Sequence, residues 1–204
     1  MPRSRRQQSS ITHSYQNRFG QHAFEPIWRA KRLLFGQNIQ PEIDFWLFDA
    51  SSLTARILKA CDQQFRVEVI SQGWQRPMLN EAQSLDCQCE QYALVRQVYL
   101  YCGDIPWVFA RTVIPSATLT GKEKHLAHLN TRPLGAVLFA DPTMRRGEVE
   151  VAEVKPGQRL YQTATARLNK KPDSIWGRRS LFYLHSKPLL VNEIFLPEIL
   201  AKAG

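Results

Sequence analysis

Residues 95–115 read VRQVYLYCGDIPWVFARTVIP, two apolar runs on either side of a Cys-Gly-Asp turn. Two strands joined by so short a turn must lie antiparallel, which limits the fold more than any other stretch of the chain. Side chains alternate across a strand. Arg96 is therefore in phase with Val98, Leu100 and Cys102, and Arg111 with Trp107, Phe109 and Val113. Pro115 stops the second arm, because proline cannot donate to the ladder. The hairpin thus carries one arginine in each of two largely apolar arms.

Other segments repeat the two-residue period. Phe65, Val67 and Val69 alternate with Arg66 and Glu68, and Gly73-Trp74 ends that strand. EVEVAEV alternates again, and WGRRSLFYLHSKPLLVNEIFLP reads as a second hairpin turning at His185–Pro188. PEIDFWLFDASSLTARILKAC predicts two helical pieces. Ser51 or Ser52 caps the second, whose apolar face is Leu53, Ile57 and Leu58. SATLTGKEKHLAHLNT predicts a short helix over Leu126 and Leu129, and RPLGAVLFADP a turn with another short helix. Strands follow one another closely with few helices between them. The fold class expected is α+β, a single antiparallel β-sheet with helices packed mainly on one side. No GxGxxG or P-loop motif is present.

The 204 residues are enough for one domain with a real core. No window approaches the ~18 apolar residues of a membrane span. The first residues hold arginines without a following apolar core, so they do not read as a secretory signal. The net charge of +9 is unevenly spread. Residues 1–40 hold seven basic side chains and one acid, Glu25, whereas the other 164 residues hold 20 basic and 17 acidic groups. This predicts a basic, partly disordered leader over 1–40 and a domain over 41–204. Because the excess belongs to the leader, no nucleic-acid partner is expected. Cys61, Cys87, Cys89 and Cys102 contain no zinc-type CxxC pair and are expected to be reduced thiols of a cytoplasmic protein.

Glu193 is in phase with Leu189, Val191 and Phe195 in the last strand. DIPWVFARTVIP and SKPLLVNEIFLP share a frame that aligns Arg111 with Glu193, as if the two faced one space. A buried, unpaired charge costs several kcal/mol. Such groups pair with each other, reach water along their stems, or serve a ligand. The ligand reading is an apolar pocket with arginines for carboxylates and a glutamate for a proton, since the planar fork of arginine meets a carboxylate bidentately. His125 and His128 have metal-ligand spacing but no third ligand, so no metal is expected. Arg145–Arg146 and Arg178–Arg179 read as solvated or strand-end residues.

WVFARTVIP, RPLG followed by LF, IWGRRS and KPLLVNEIFLP, in that order from about Pro41 to Pro197, resemble the chorismate pyruvate-lyase family. The resemblance implies that chorismate loses its enolpyruvyl side chain as pyruvate and leaves 4-hydroxybenzoate, the committed step of ubiquinone synthesis, without metal or organic cofactor. It implies a monomer whose single antiparallel sheet encloses the product beneath mobile flaps. Carried over by position, Arg96 would hold the ring carboxylate and Leu134 would offer main-chain hydrogen bonds beside it. Glu193 would meet the ring hydroxyl, making Arg96 and Glu193 the catalytic pair. Arg111 would bind the side-chain carboxylate. Leu53 stands where the family has a methionine in the flap. The rival readings are a sensor domain of the same fold and a lyase giving another hydroxybenzoate isomer.

Overall fold

The computed structural model describes residues 24–34 and 39–200. Eight strands form one antiparallel sheet: β1 Arg29–Ala30, β2 Phe65–Gln75, β3 Ala93–Cys102, β4 Ile105–Pro115, β5 Arg145–Arg146, β6 Glu150–Val154, β7 Ile175–Leu184 and β8 Lys187–Phe195. Their spatial order is β1-β6-β7-β8-β4-β3-β2, with β5 beside β7. The helices are α1 Pro41–Leu47, α2 Leu53–Ala60, α3 Leu79–Ser84, α4 Leu134–Ala140, α5 Arg159–Ala164 and α6 Pro197–Leu200, with 3-10 turns at Lys31–Leu33 and Gly121–His128.

Local chemistry accounts for these elements. β3 and β4 meet at Gly103, whose φ of +58° is a left-handed backbone conformation that favours glycine. The β7–β8 turn places His185 and Ser186 both at positive φ, the geometry that matches the twist of a two-residue hairpin. Pro41 opens α1, and Ile43, Trp46 and Leu47 form its buried stripe. Ser52 caps α2 by accepting from the Ala55 amide. The inward face of α2 is Leu53, Thr54 and Ile57. Leu58 points outward instead and is 54% exposed.

Helices cover both faces of the sheet, most of them on one. On the first face α1, α2 and α6 pack through Trp46, Leu47, Ile57 and Ile199 onto Val98, Leu100 and Val108. Leu126 and Leu138 join the same face against Leu94, Ile114 and Val191. On the reverse face α5 packs Leu160 and Ala164 onto Tyr99, Phe109 and Ile194. Each such large side chain taken from water stabilises the fold by about 2 kcal/mol.

Two expectations need correction. The body starts before Pro41: β1 pairs with β6, and the Glu25 carboxylate accepts from the Leu79 and Asn80 amides at 2.9 Å. Charge alone could not separate these residues from the rest of the leader, of which residues 1–23 and 35–38 lie outside the described residues. Cys61 and Cys102 are not reduced thiols but a disulfide spanning 41 residues. The pairing of β2 with β3 sets Cys102 opposite Phe65, a few residues past Cys61 at the end of α2. Topology brings their Cα atoms to 5.6 Å, within bridging range. No described helix is long and apolar enough to cross a membrane.

Candidate active site

A pocket of about 620 Å³ of empty space, its mouth included, opens between the first face of the sheet and the starts of α2 and α4. Its floor follows from register. Arg96 of β3 sits opposite Thr112 of β4, and Thr112 opposite Val191 of β8. Two residues along β8, Glu193 lies opposite Ala110 on one side and Arg178 of β7 on the other. All of these line the pocket, with Val98, Leu100, Leu138 and Phe182 supplying apolar wall. Leu53 and Leu134, the first residues of α2 and α4, close the roof. Gly135 lets the two helices approach, since a Cβ there would stand 3.0 Å from Thr54 Oγ1.

Arg96 is 3% exposed. Its Nη1 donates to Gln72 Oε1 at 3.4 Å and its Nη2 to the Arg132 carbonyl at 3.3 Å. Burial draws its pKa down from the usual arginine value. It has no carboxylate partner among the described residues. Glu193 Oε2 accepts from Arg178 Nε at 2.5 Å. Arg178 Nη1 also donates to the carbonyls of Trp46 at 2.9 Å and Asp49 at 2.7 Å, tying the sheet to the end of α1. Arg146 Nε donates to Ser180 Oγ at 3.0 Å, and its Nη1 to the Ala50 carbonyl at 3.1 Å. Burial, and then the neighbouring Arg178, lower the pKa of Arg146. Three guanidiniums thus face the pocket with one carboxylate among them, leaving two positive charges in excess.

Of the residues singled out by sequence, Arg96, Glu193, Leu53 and Leu134 meet in this pocket, and Arg111 does not. Arg111 sits opposite Gln97 and Asn192, one residue out of step with the pocket row. One residue along a strand is the other face of the sheet. There its Nε and Nη2 donate to the two oxygens of Glu81 in α3, at 2.7 and 2.9 Å, and Asn192 Nδ2 donates to Glu81 Oε1 at 3.2 Å. The role expected for Arg111 in substrate binding is therefore corrected: it is half of a buried ion pair behind the sheet. The apparent repeat misled because Glu193 faces Ala110, not Arg111.

Arg178 and Arg146 were missed as site residues. A signal for Arg178 exists in the sequence. Adjacent arginines in a strand point to opposite faces, so in a sheet covered on both faces neither can be solvated. Arg178 and Arg179 are 1% and 6% exposed, and Arg179 donates to Glu150 Oε2 at 2.7 Å on the reverse side. Arg146 had no such signal, because β5 is only two residues long. His125 and His128 lie outside this pocket, on the Gly121–His128 turn.

The model of one protein family, described as chorismate lyase, matches residues 27–204. The chain is 40% identical over 179 residues to a probable chorismate pyruvate-lyase of Pseudomonas aeruginosa strain UCBPP-PA14, covering 87% of this chain and 95% of that one. It is 44% identical over 158 residues to a protein of the same description from Psychromonas ingrahamii, covering 74% and 81%. Among solved structures, the C-terminal domain of the histidine utilization repressor from Pseudomonas syringae pv. tomato superposes with a TM-score of 0.52 at 11% identity, over 66% of this chain and 93% of that one. The effector domain of PhnF from Mycobacterium smegmatis gives 0.51 at 11%, over 71% and 88%. At such identity the structural likeness is one of fold.

Proposed function

The chain belongs to the chorismate lyase family, and from that premise we propose that it eliminates pyruvate from chorismate to give 4-hydroxybenzoate. The observation that carries this reading is the charge of the pocket: an excess of two positive charges among its lining residues, set inside apolar walls, suits a dianion. Arg96, buried without a carboxylate of its own, takes the ring carboxylate through its fork. The Leu134 amide, first in α4 after Pro133, would offer that carboxylate a main-chain hydrogen bond. Glu193, two strands away on β8, accepts from the ring hydroxyl. Neighbouring strands lie about 4.8 Å apart, so the two rows are roughly 10 Å apart and leave room for a six-membered ring.

In the reaction the hydrogen on the hydroxyl-bearing ring carbon is lost and the neighbouring ether carbon–oxygen bond breaks. The ring becomes aromatic, and the departing enolpyruvate takes a proton on its methylene carbon to become pyruvate. Neither water nor an oxidant is consumed. Aromatisation supplies driving force, so the work of the protein is orientation and charge placement. The ion pair with Arg178 keeps Glu193 aimed at the hydroxyl. The resemblance carries with it a monomer acting in the cytoplasm, without cofactor, at the entry to ubiquinone synthesis.

Pyruvate release, followed by coupling to a dehydrogenase, tests this reading. The protein should release pyruvate from chorismate, and Arg96→Ala should lower that rate at least about 100-fold, as loss of a buried charge contact does. An unchanged rate in the variant would contradict the assignment. The fold is also that of regulator effector domains, so tight binding without turnover would favour a sensor.

A further inference from the structure

Chorismate carries two carboxylates and its aromatic product carries one. With Arg111 behind the sheet, the group that meets the second carboxylate must come from elsewhere. We propose that Arg146 binds the carboxylate of the enolpyruvyl side chain. The inference rests on the lyase reading above.

Four observations support it. Arg146 lines the same pocket as Arg96 and Glu193. Its hydrogen bonds all go to neutral oxygens, the Ser180 hydroxyl and the Asp49 and Ala50 carbonyls. These use Nε and Nη1 and leave Nη2 without a partner among the described residues. No described carboxylate forms an ion pair with Arg146, while Arg178, the other arginine at that end, is already committed to Glu193.

Position agrees with the substrate. β5 pairs with β7, setting Arg146 opposite Phe182, and Arg178, Glu193 and Asp49 are its charged neighbours, the Asp49 carboxylate itself being paired with Arg56. Arg146 therefore stands at the Glu193 end of the pocket and Arg96 at the other. In chorismate the ether carbon adjoins the hydroxyl-bearing carbon, across the ring from the ring carboxylate. A ring held by Arg96 and Glu193 thus places its side chain beside Arg146. Its contacts with Asp49 and Ala50 also link this arginine to the loop that leads into α2. Capture of the side-chain carboxylate would hold that loop closed over the substrate. Once pyruvate has gone, the product has nothing for Arg146 to hold.

That asymmetry supplies the test. Steady-state kinetics with chorismate and competitive inhibition by 4-hydroxybenzoate are measured for the wild type, Arg146→Gln and Arg146→Lys. Arg146→Gln should lower kcat/KM for chorismate by at least about 30-fold. It should change the inhibition constant of 4-hydroxybenzoate by less than about threefold. Arg146→Lys keeps the charge but not the fork, and should fall between. Equal loss for substrate and product would make Arg146 a structural tie to residues 49–50 and overturn the proposal, as would unchanged kcat/KM. A wild type that binds both compounds without turnover would sink the lyase reading alone. The same comparison, made on dissociation constants, would then still decide the role of Arg146. A wild type that binds neither would overturn both.

Discussion

Arg96 and Arg111 sit one strand apart and do opposite jobs. Arg96 has neutral partners and faces the pocket, whereas Arg111 is locked to Glu81, which is fully buried. Arg111→Ala should therefore cost about 3–5 kcal/mol of stability, because it strands the Glu81 charge. The protein that remains folded should keep its kcat/KM for chorismate, the compound that carries the side-chain carboxylate. Urea denaturation with pyruvate-release kinetics checks this, and a selective loss of kcat/KM would return Arg111 to the site. Arg178→Ala should cost a similar 3–5 kcal/mol, since it leaves Glu193 and two main-chain carbonyls without their donor. Alternation in the sequence showed which residues share a face within each strand, and Arg96 with Val98 and Leu100 was legible that way. It could not show which faces of two strands coincide. A bulge that admits Trp107 as an extra residue sets Trp107 and Val108 into one cluster. The phase read from Trp107 therefore no longer gives the side of the sheet on which Arg111 lies.

Two elements near the pocket are fastened by links far apart in sequence. The Cys61–Cys102 bridge ties the end of α2, whose first residue Leu53 roofs the site, to the end of β3. For a loop of this length chain entropy assigns the bridge about 4 kcal/mol. Denaturation with and without reductant should show a loss of that order, and Cys61→Ser should show it without reductant. An unchanged midpoint would mean that the bridge is not formed in solution. Spacing alone could not have paired these cysteines, because their neighbourhood is made by β2 lying against β3. The second fastening joins the Gly121–His128 turn to the β7–β8 turn: Glu123 accepts from Lys187 Nζ at 2.6 Å and lies 2.8 Å from His185 Nδ1. The hydrogen bond from Lys187, opposed by burial, holds the Glu123 carboxyl below its ordinary value of 4.5. The unfolded chain therefore takes up that proton more readily than the folded one. The contribution is complete above pH 4.5 and fades as pH falls through the depressed folded value. Glu123→Gln should flatten the acid limb of a stability–pH curve, and an identical limb would show that the contact contributes nothing.

For the molecule as a whole, the antiparallel sheet was legible because its two hairpins have short turns and clear alternation. The edge of the sheet was not, because β1 and β5 are two residues each and carry no period. The basic leader was legible as a charge excess, but part of that excess, Arg29, Lys31 and Arg32, belongs to β1 and the turn after it. Charge has its clearest consequence inside the fold, where both faces of one sheet hold arginines. Those behind the sheet meet carboxylates one for one, Arg111 with Glu81 and Arg179 with Glu150. Those facing the pocket outnumber theirs by two. A site that waits for a dianion is the economical account of that difference. Incubating the purified protein with chorismate and resolving the products by chromatography tests it most directly. The account predicts that chorismate disappears into equal amounts of pyruvate and 4-hydroxybenzoate. Chorismate left intact by the folded protein, or converted to 3-hydroxybenzoate, would contradict it.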